Sequence, residues 1–165
     1  MKMTTLRDLL VEEIRDLHSA ESQLIKALPR MAKSASNEAL ADAFTTHLEE
    51  TKGQLDRLDQ LFVQLGERPG RKKCKAMEGL IEEGKDVISE DAEPDVHDAA
   101  LIASAQRIEH YEIAGYGCAR TFARLIGEEE VATMLQQTLD EEAATDEKLT
   151  ELAMSGINQQ AVEHA

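Results

Sequence analysis

Apolar residues return every three or four positions along four long stretches of this chain, the repeat of a helix with one buried stripe. Leu6, Leu10, Ile14, Leu17, Leu24 and Leu28 form the first stripe, and Leu40, Phe44, Leu58, Phe62 and Leu65 the second. Ala105, Ile108, Tyr116 and Ala119 mark the third, and Val131, Leu135, Leu149 and Leu152 the fourth. Each stripe must be buried against the others, so the chain is all-α. Helices are expected at about 5–34, 37–66, 95–126 and 128–155, with a shorter one at 76–89 and a polar, frayed tail at 156–165. With no Trp, three Phe and two Tyr, aliphatic side chains and Ala must fill the core.

Punctuation supports these bounds. Thr4 or Thr5 is placed to cap the first helix, Ser36 precedes the second, and Gly66 and Gly127 stand where the second and third should stop. Pro94 is a good first residue for the third helix, and Pro29 predicts a kink or break near the end of the first. The link between the first two helices is short, so they should run antiparallel. A hairpin, a long connection holding the short helix, and a second hairpin make a single domain, 1–165, of ferritin-like four-helix topology.

The formal charge of −15 disfavours nucleic acid and anionic membranes as partners. No apolar run reaches membrane-spanning length, and MKMTTLRDLL lacks the apolar centre of a secretion signal, so cytoplasmic residence is expected. The one basic cluster, Arg68, Arg71, Lys72, Lys73 and Lys75, reads as a solvated loop or a source of salt bridges between subunits. Cys74 and Cys118 form no CxxC or disulfide framework and are expected as reduced thiols, Cys118 packed as a small hydrophobe.

Within this pattern the acids are misplaced. Glu21, Glu50, Glu142 and the pair Glu109 and Glu112 fall near the middle of the four helices, on the stripe of positions that should face the core. Helices of about 30 residues are about 45 Å long, so side-by-side packing brings these residues to nearly one height. Buried carboxylates there would repel one another and lose hydration, at about several kcal/mol per ion, unless a cation sits between them. Five carboxylates with an imidazole suit two ions of iron, or of iron and manganese. The alternative is interhelical pairing with Lys26, Arg57, Arg107 or Lys148.

Histidine placement departs from the usual di-iron pattern, because no Glu-x-x-His occurs. His47, three residues before Glu50, is the nitrogen ligand candidate; His18 bears the same relation to Glu21, and His110 faces another side. Gln54, Tyr116 and Asp146 lie one turn beyond Glu50, Glu112 and Glu142 and are candidates to orient ligands, Asp146 also to bind metal. Glu141 is expected at the surface. Gly115 and Gly117 either admit a neighbouring helix closely or allow a local distortion beside the site.

The stretches SAESQL, HLEETKGQLDRL, CKAMEGLIEE, QRIEHYEIAGYG and LDEEAATDEKL resemble the YciE/YciF family of bacterial ferritin-like proteins over nearly the whole chain. The resemblance implies a rubrerythrin-like four-helix core, a homodimer linked to stress responses, and metal-binding carboxylates at Glu21, Glu50, Glu109, Glu112 and Glu142. Rubrerythrins would place His near position 53, where this chain has Gly53, and no rubredoxin-type cysteine module is present, which leaves the electron donor unknown. Two functions follow as expectations: a di-metal protein reacting with peroxide or dioxygen, or a non-catalytic stress protein with an empty or structural site. A ferritin cage would need a further C-terminal helix.

Overall fold

The computed structural model describes residues 3–163. Its elements are α1 (Leu6–Ser34), α2 (Glu38–Leu65), α3 (Lys75–Ser89), α4 (Pro94–Leu125), α5 (Glu129–Leu152), a π-helical turn (Ala153–Ile157) and α6 (Asn158–Glu163). α1 and α2 form one hairpin and α4 and α5 the other, and α3 lies in the crossover against α1 and α4. This is the expected all-α, ferritin-like arrangement.

Local chemistry sets the helix ends. Thr5 caps α1 through a reciprocal box, its hydroxyl accepting from the Asp8 N–H while the Asp8 carboxylate accepts from the Thr5 N–H. The cap of α2 is Asn37 rather than Ser36: Asn37 Oδ1 accepts from Leu40 N at 3.1 Å. Buried Asp98 of α4 takes the Ser36 and Asn37 N–H groups at 2.9 and 2.7 Å, which ties this hairpin corner to the second hairpin. Gly66 ends α2 at φ 66°, a left-handed conformation glycine adopts without a Cβ penalty.

Pro29 does not break α1, which runs through it to Ser34. Proline removes one backbone N–H near the helix end, and Pro29 itself is exposed. The chain kinks at Gly156, where the frayed tail was expected to begin, and then continues as α6 to Glu163, with Ile157 buried in the core; residues 164 and 165 lie outside the described residues. Cys118 does not pack as the expected small hydrophobe. Cys74 is buried, its thiol accepting from Met77 N at 3.4 Å at the start of α3, and Cys118 is exposed on the outer side of α4. The basic loop folds onto α1 of its own chain, with Lys72 Nζ 3.5 Å from Glu12 and 3.6 Å from Asp16.

Two apolar clusters fill the bundle. One contains Leu24, Leu28, Phe44, Leu101, Ile108 and Leu149. The other, toward the start of α1, contains Leu10, Leu17, Leu58, Tyr116 and Leu135. Between them the inward positions become polar on all four long helices. Gly115 lets α1 and α4 meet at this level: a Cβ there would lie 2.8 Å from Leu17 Cδ2. The glycine serves close approach, and α4 continues past it without distortion.

Candidate metal centre

Each long helix carries its stripe inward through the polar layer. α1 contributes Glu21 between Leu17 and Leu24, and α2 contributes His47, Thr51 and Gln54 between Phe44 and Leu58. α4 contributes Glu109 and Glu112 between Ile108 and Tyr116, and α5 contributes Thr138 and Glu142 between Leu135 and Leu149. Glu21, Glu112 and Glu142 are each 0% exposed, out of reach of bulk solvent. One ligand atom from each of His47, Glu109, Glu112 and Glu142 lies within 4.8 Å of all the others. Glu21 borders this group and feels the charges of His47 and Glu109.

The carboxylate oxygens have few protein partners. Glu21 Oε2, Glu109 Oε2 and both oxygens of Glu112 and of Glu142 are buried without a hydrogen bond. His47 Nε2 approaches Glu109 Oε1 at 3.2 Å, yet it is not aligned as a hydrogen bond, so the two groups share a space rather than a proton bridge. Among the described residues no Lys or Arg ion pair reaches Glu21, Glu109, Glu112 or Glu142. The nearest candidate, Arg57, is committed to Glu141 through Nη1 and Nη2 at 3.0 and 2.9 Å and to the Thr138 hydroxyl. The salt-bridge alternative is thereby removed for the buried acids, and Glu141 is half-buried in this pair rather than free at the surface.

Electrostatics follow the geometry. Burial pushes the Glu21 carboxyl up to about 8, although the Tyr116 hydroxyl donates to its Oε1 and favours the ion. Glu112 is held well above the carboxylate range by burial, then by Glu21, Glu142 and Glu109. Glu142 is raised likewise, by burial and then by Glu109. Burial opposes charge on His47, but Glu109 and its other acidic neighbours outweigh that and raise it well above the usual imidazole value. A set of acids that resists ionisation beside an imidazole that favours it lacks positive charge.

Not every expected residue joins the cluster. Glu50 stands 42% exposed, off the inward stripe of α2, and its Oε2 is 3.7 Å from His47 Nδ1. It therefore backs the imidazole from outside, together with Thr145 Oγ1 at 3.5 Å from the same nitrogen. Asp146 turns away as well, accepting from Gln106 Nε2 at 3.1 Å and facing His110 Nε2 at 3.1 Å. Both acids miss the centre because their positions on the helix are rotated off the buried stripe. Gln54 is fully buried, its Nε2 donating to Glu141 Oε2 at 3.2 Å and its Oε1 unpartnered. Tyr116 reaches the site through Glu21. His18 is engaged elsewhere, 3.1 Å from Asp59 and edge-on to Phe62. Arg57, a candidate partner for the buried acids, pairs instead with Glu141, and Thr138, on the inward row of α5, accepts from it.

The donor set fits a hard, divalent cation. Carboxylate oxygens with one imidazole nitrogen suit iron or manganese, and the partnerless buried oxygens are the groups such an ion would satisfy.

Comparison with known proteins agrees with this architecture. The family described as Domain of unknown function (DUF892) matches residues 5–162, and the chain belongs to that family. Protein YciF of Escherichia coli is 48% identical over 162 residues, 98% of each sequence. The crystal structure of that stress protein superposes with a TM-score of 0.91, covering 94% of this chain and 99% of that one. YcfI of Rhodopseudomonas palustris, described as a putative structural protein, is 43% identical with a TM-score of 0.87, covering 90% and 95%. A ferritin-like, diiron-carboxylate protein of Bacillus anthracis shares the fold at 18% identity and a TM-score of 0.70, covering 91% and 99%.

Proposed function

We propose that this DUF892 family member holds two divalent ions, iron or iron with manganese, at mid-height and uses them in peroxide- or dioxygen-dependent redox chemistry during stress. The observation that carries this reading is the convergence of His47, Glu109, Glu112 and Glu142 in a buried layer where, among the described residues, no Lys or Arg pairs with the acids. Description of the E. coli relative as a stress protein supports the setting, and the diiron-carboxylate description of the B. anthracis protein supports the choice of metal. A homodimer in the cytoplasm completes the proposal, with the electron donor left open.

Glu109, Glu112, Glu142 and His47 are the residues that would hold the ions, with Glu21 as the fifth carboxylate. Redox-active ions in such a site exchange electrons with peroxide or dioxygen at neutral pH. The remaining work belongs to the chain. Glu50 and Thr145 face Nδ1 of His47 and favour the tautomer that keeps its proton there, so that Nε2 presents a lone pair inward. Tyr116 fixes one oxygen of Glu21 and leaves the other free to point at the layer. The apolar clusters on either side exclude water along the bundle axis. Burial favours the protonated forms of Glu21, Glu112 and Glu142, so cation uptake is coupled to release of protons from them.

A second reading, a structural ion without turnover, draws on the outward position of Glu50, which leaves α2 with a single inward ligand, His47. The description of the R. palustris relative as a putative structural protein points the same way. Stopped-flow mixing of the ferrous-loaded chain with peroxide separates the two. The redox reading expects iron oxidation faster than for free ferrous ion in the same buffer, lost in Glu109→Ala. Oxidation no faster than in buffer, together with a stability loss on chelation, supports the structural ion.

A further inference from the structure

A cavity of about 390 Å³ opens between α2 and α5 and reaches the polar layer. Its mouth is formed by exposed residues, Asp42, Thr46, Ala144 and Lys148 among them. Its walls are aliphatic or aromatic, with Leu24, Leu28, Met31, Phe44, Ile108 and Leu149 all buried. At the inner end stand His47 and Glu109, two members of the proposed metal set. The volume lies at the small end of ligand pockets, about 300–1,000 Å³.

Three features select the occupant. Apolar walls reward an apolar body and leave a polar one without partners. Among the described lining residues, Lys148 on the rim, 3.5 Å from Glu151, and His47 at the inner end are outnumbered by Asp42 and Glu50 on the rim and Glu109 inside. An anionic head would therefore be repelled in a chain whose net charge is −15. We propose that this cavity binds a neutral, apolar organic molecule, such as a medium-chain alcohol or an aromatic of similar size. As a binding site the cavity stands alone; as a substrate site beside redox-active ions it rests on the function proposed above.

The test uses the full-length, metal-free chain and N-phenyl-1-naphthylamine, a neutral apolar fluorophore read without interference because the chain has no Trp. Saturable binding at one site per chain is expected, with 1-decanol displacing the probe at concentrations at least tenfold below those of decanoate. Ala43, half-buried in the cavity wall, becomes a plug in Ala43→Trp, which should weaken the probe at least tenfold with helical content and metal uptake unchanged. Ala144→Trp, on the exposed lip, gives the same reading should the first variant fail to fold. No saturable binding, equal displacement by decanoate, or full-strength binding to a folded plugged variant overturns the proposal. A chain that binds the probe but takes up no metal sinks only the metal reading; one that loads metal and ignores the probe sinks only this inference.

Discussion

His47 on α2 and Glu109 on α4 meet across the bundle at 3.2 Å, both nearly fully buried, at 3% and 2% side-chain exposure. They approach closely without the alignment of a hydrogen bond, and the unpartnered oxygens of Glu112 and Glu142 belong to the same cluster. Groups arranged in this way face a common point. The predictions below follow from what that point requires.

Glu50 backs His47 from outside, so its removal should weaken the site without dismantling it. Glu50→Gln is expected to lower metal affinity by about 10–100-fold at unchanged stoichiometry. Isothermal titration with Mn(II) reads both quantities. Loss of one ion per chain would mean that Glu50 is itself a ligand.

The metal-free protein should weaken as pH rises. Glu21 moves from 4.5 unfolded to about 8 folded, and Glu112, Glu142 and His47 are also raised. Over this window the folded state binds more protons than the unfolded state, so their stabilising contribution is present at low pH and lost as pH climbs toward 8. Thermal melting in chelator should therefore give a lower Tm at pH 8 than at pH 5.5, with Mn(II) narrowing the gap. A flat or rising metal-free profile contradicts the buried, partnerless carboxyls.

The site should cost stability when it holds no ion. Glu112→Leu replaces a fully buried acid by an apolar side chain of similar size and should stabilise the metal-free chain by about 1–3 kcal/mol while impairing metal binding. Urea denaturation with and without chelator checks both effects. A less stable metal-free variant would show that Glu112 is satisfied by the protein.

Gly115→Ala adds a methyl group 2.8 Å from buried Leu17 Cδ2. Overpacking costs about 1–3 kcal/mol against about 1 kcal/mol gained in helix propensity, so net destabilisation of about 1 kcal/mol is expected. The double variant with Leu17→Ala should make the added methyl less costly than it is alone. Strictly additive effects in urea melts would contradict the contact.

Periodicity made most of this legible. Long stripes and helix stops gave the two hairpins, and Glu21, Glu109, Glu112 and Glu142 stood out because acids occupied apolar positions. Single-residue rotation was harder to read. A helix turns about 100° per residue, so Glu50, three positions from His47, falls to the side, while Thr51 continues the inward row. Asp146, a candidate to orient a ligand or bind metal, lies off the inward row in the same way, since the row on α5 passes from Glu142 to Leu149. Cys118 differs from buried Ala119 by one position and faces out. These choices depend on which side each helix presents to its neighbours, which tertiary packing settles.

The central claim is tested most directly by metal analysis of the chain purified without chelators, using inductively coupled plasma mass spectrometry. The account predicts two ions of iron or manganese per chain, falling to one or none in Glu109→Ala and Glu142→Ala. A folded chain that takes up no transition metal even with excess Fe(II) or Mn(II), or that keeps two ions in both variants, contradicts it.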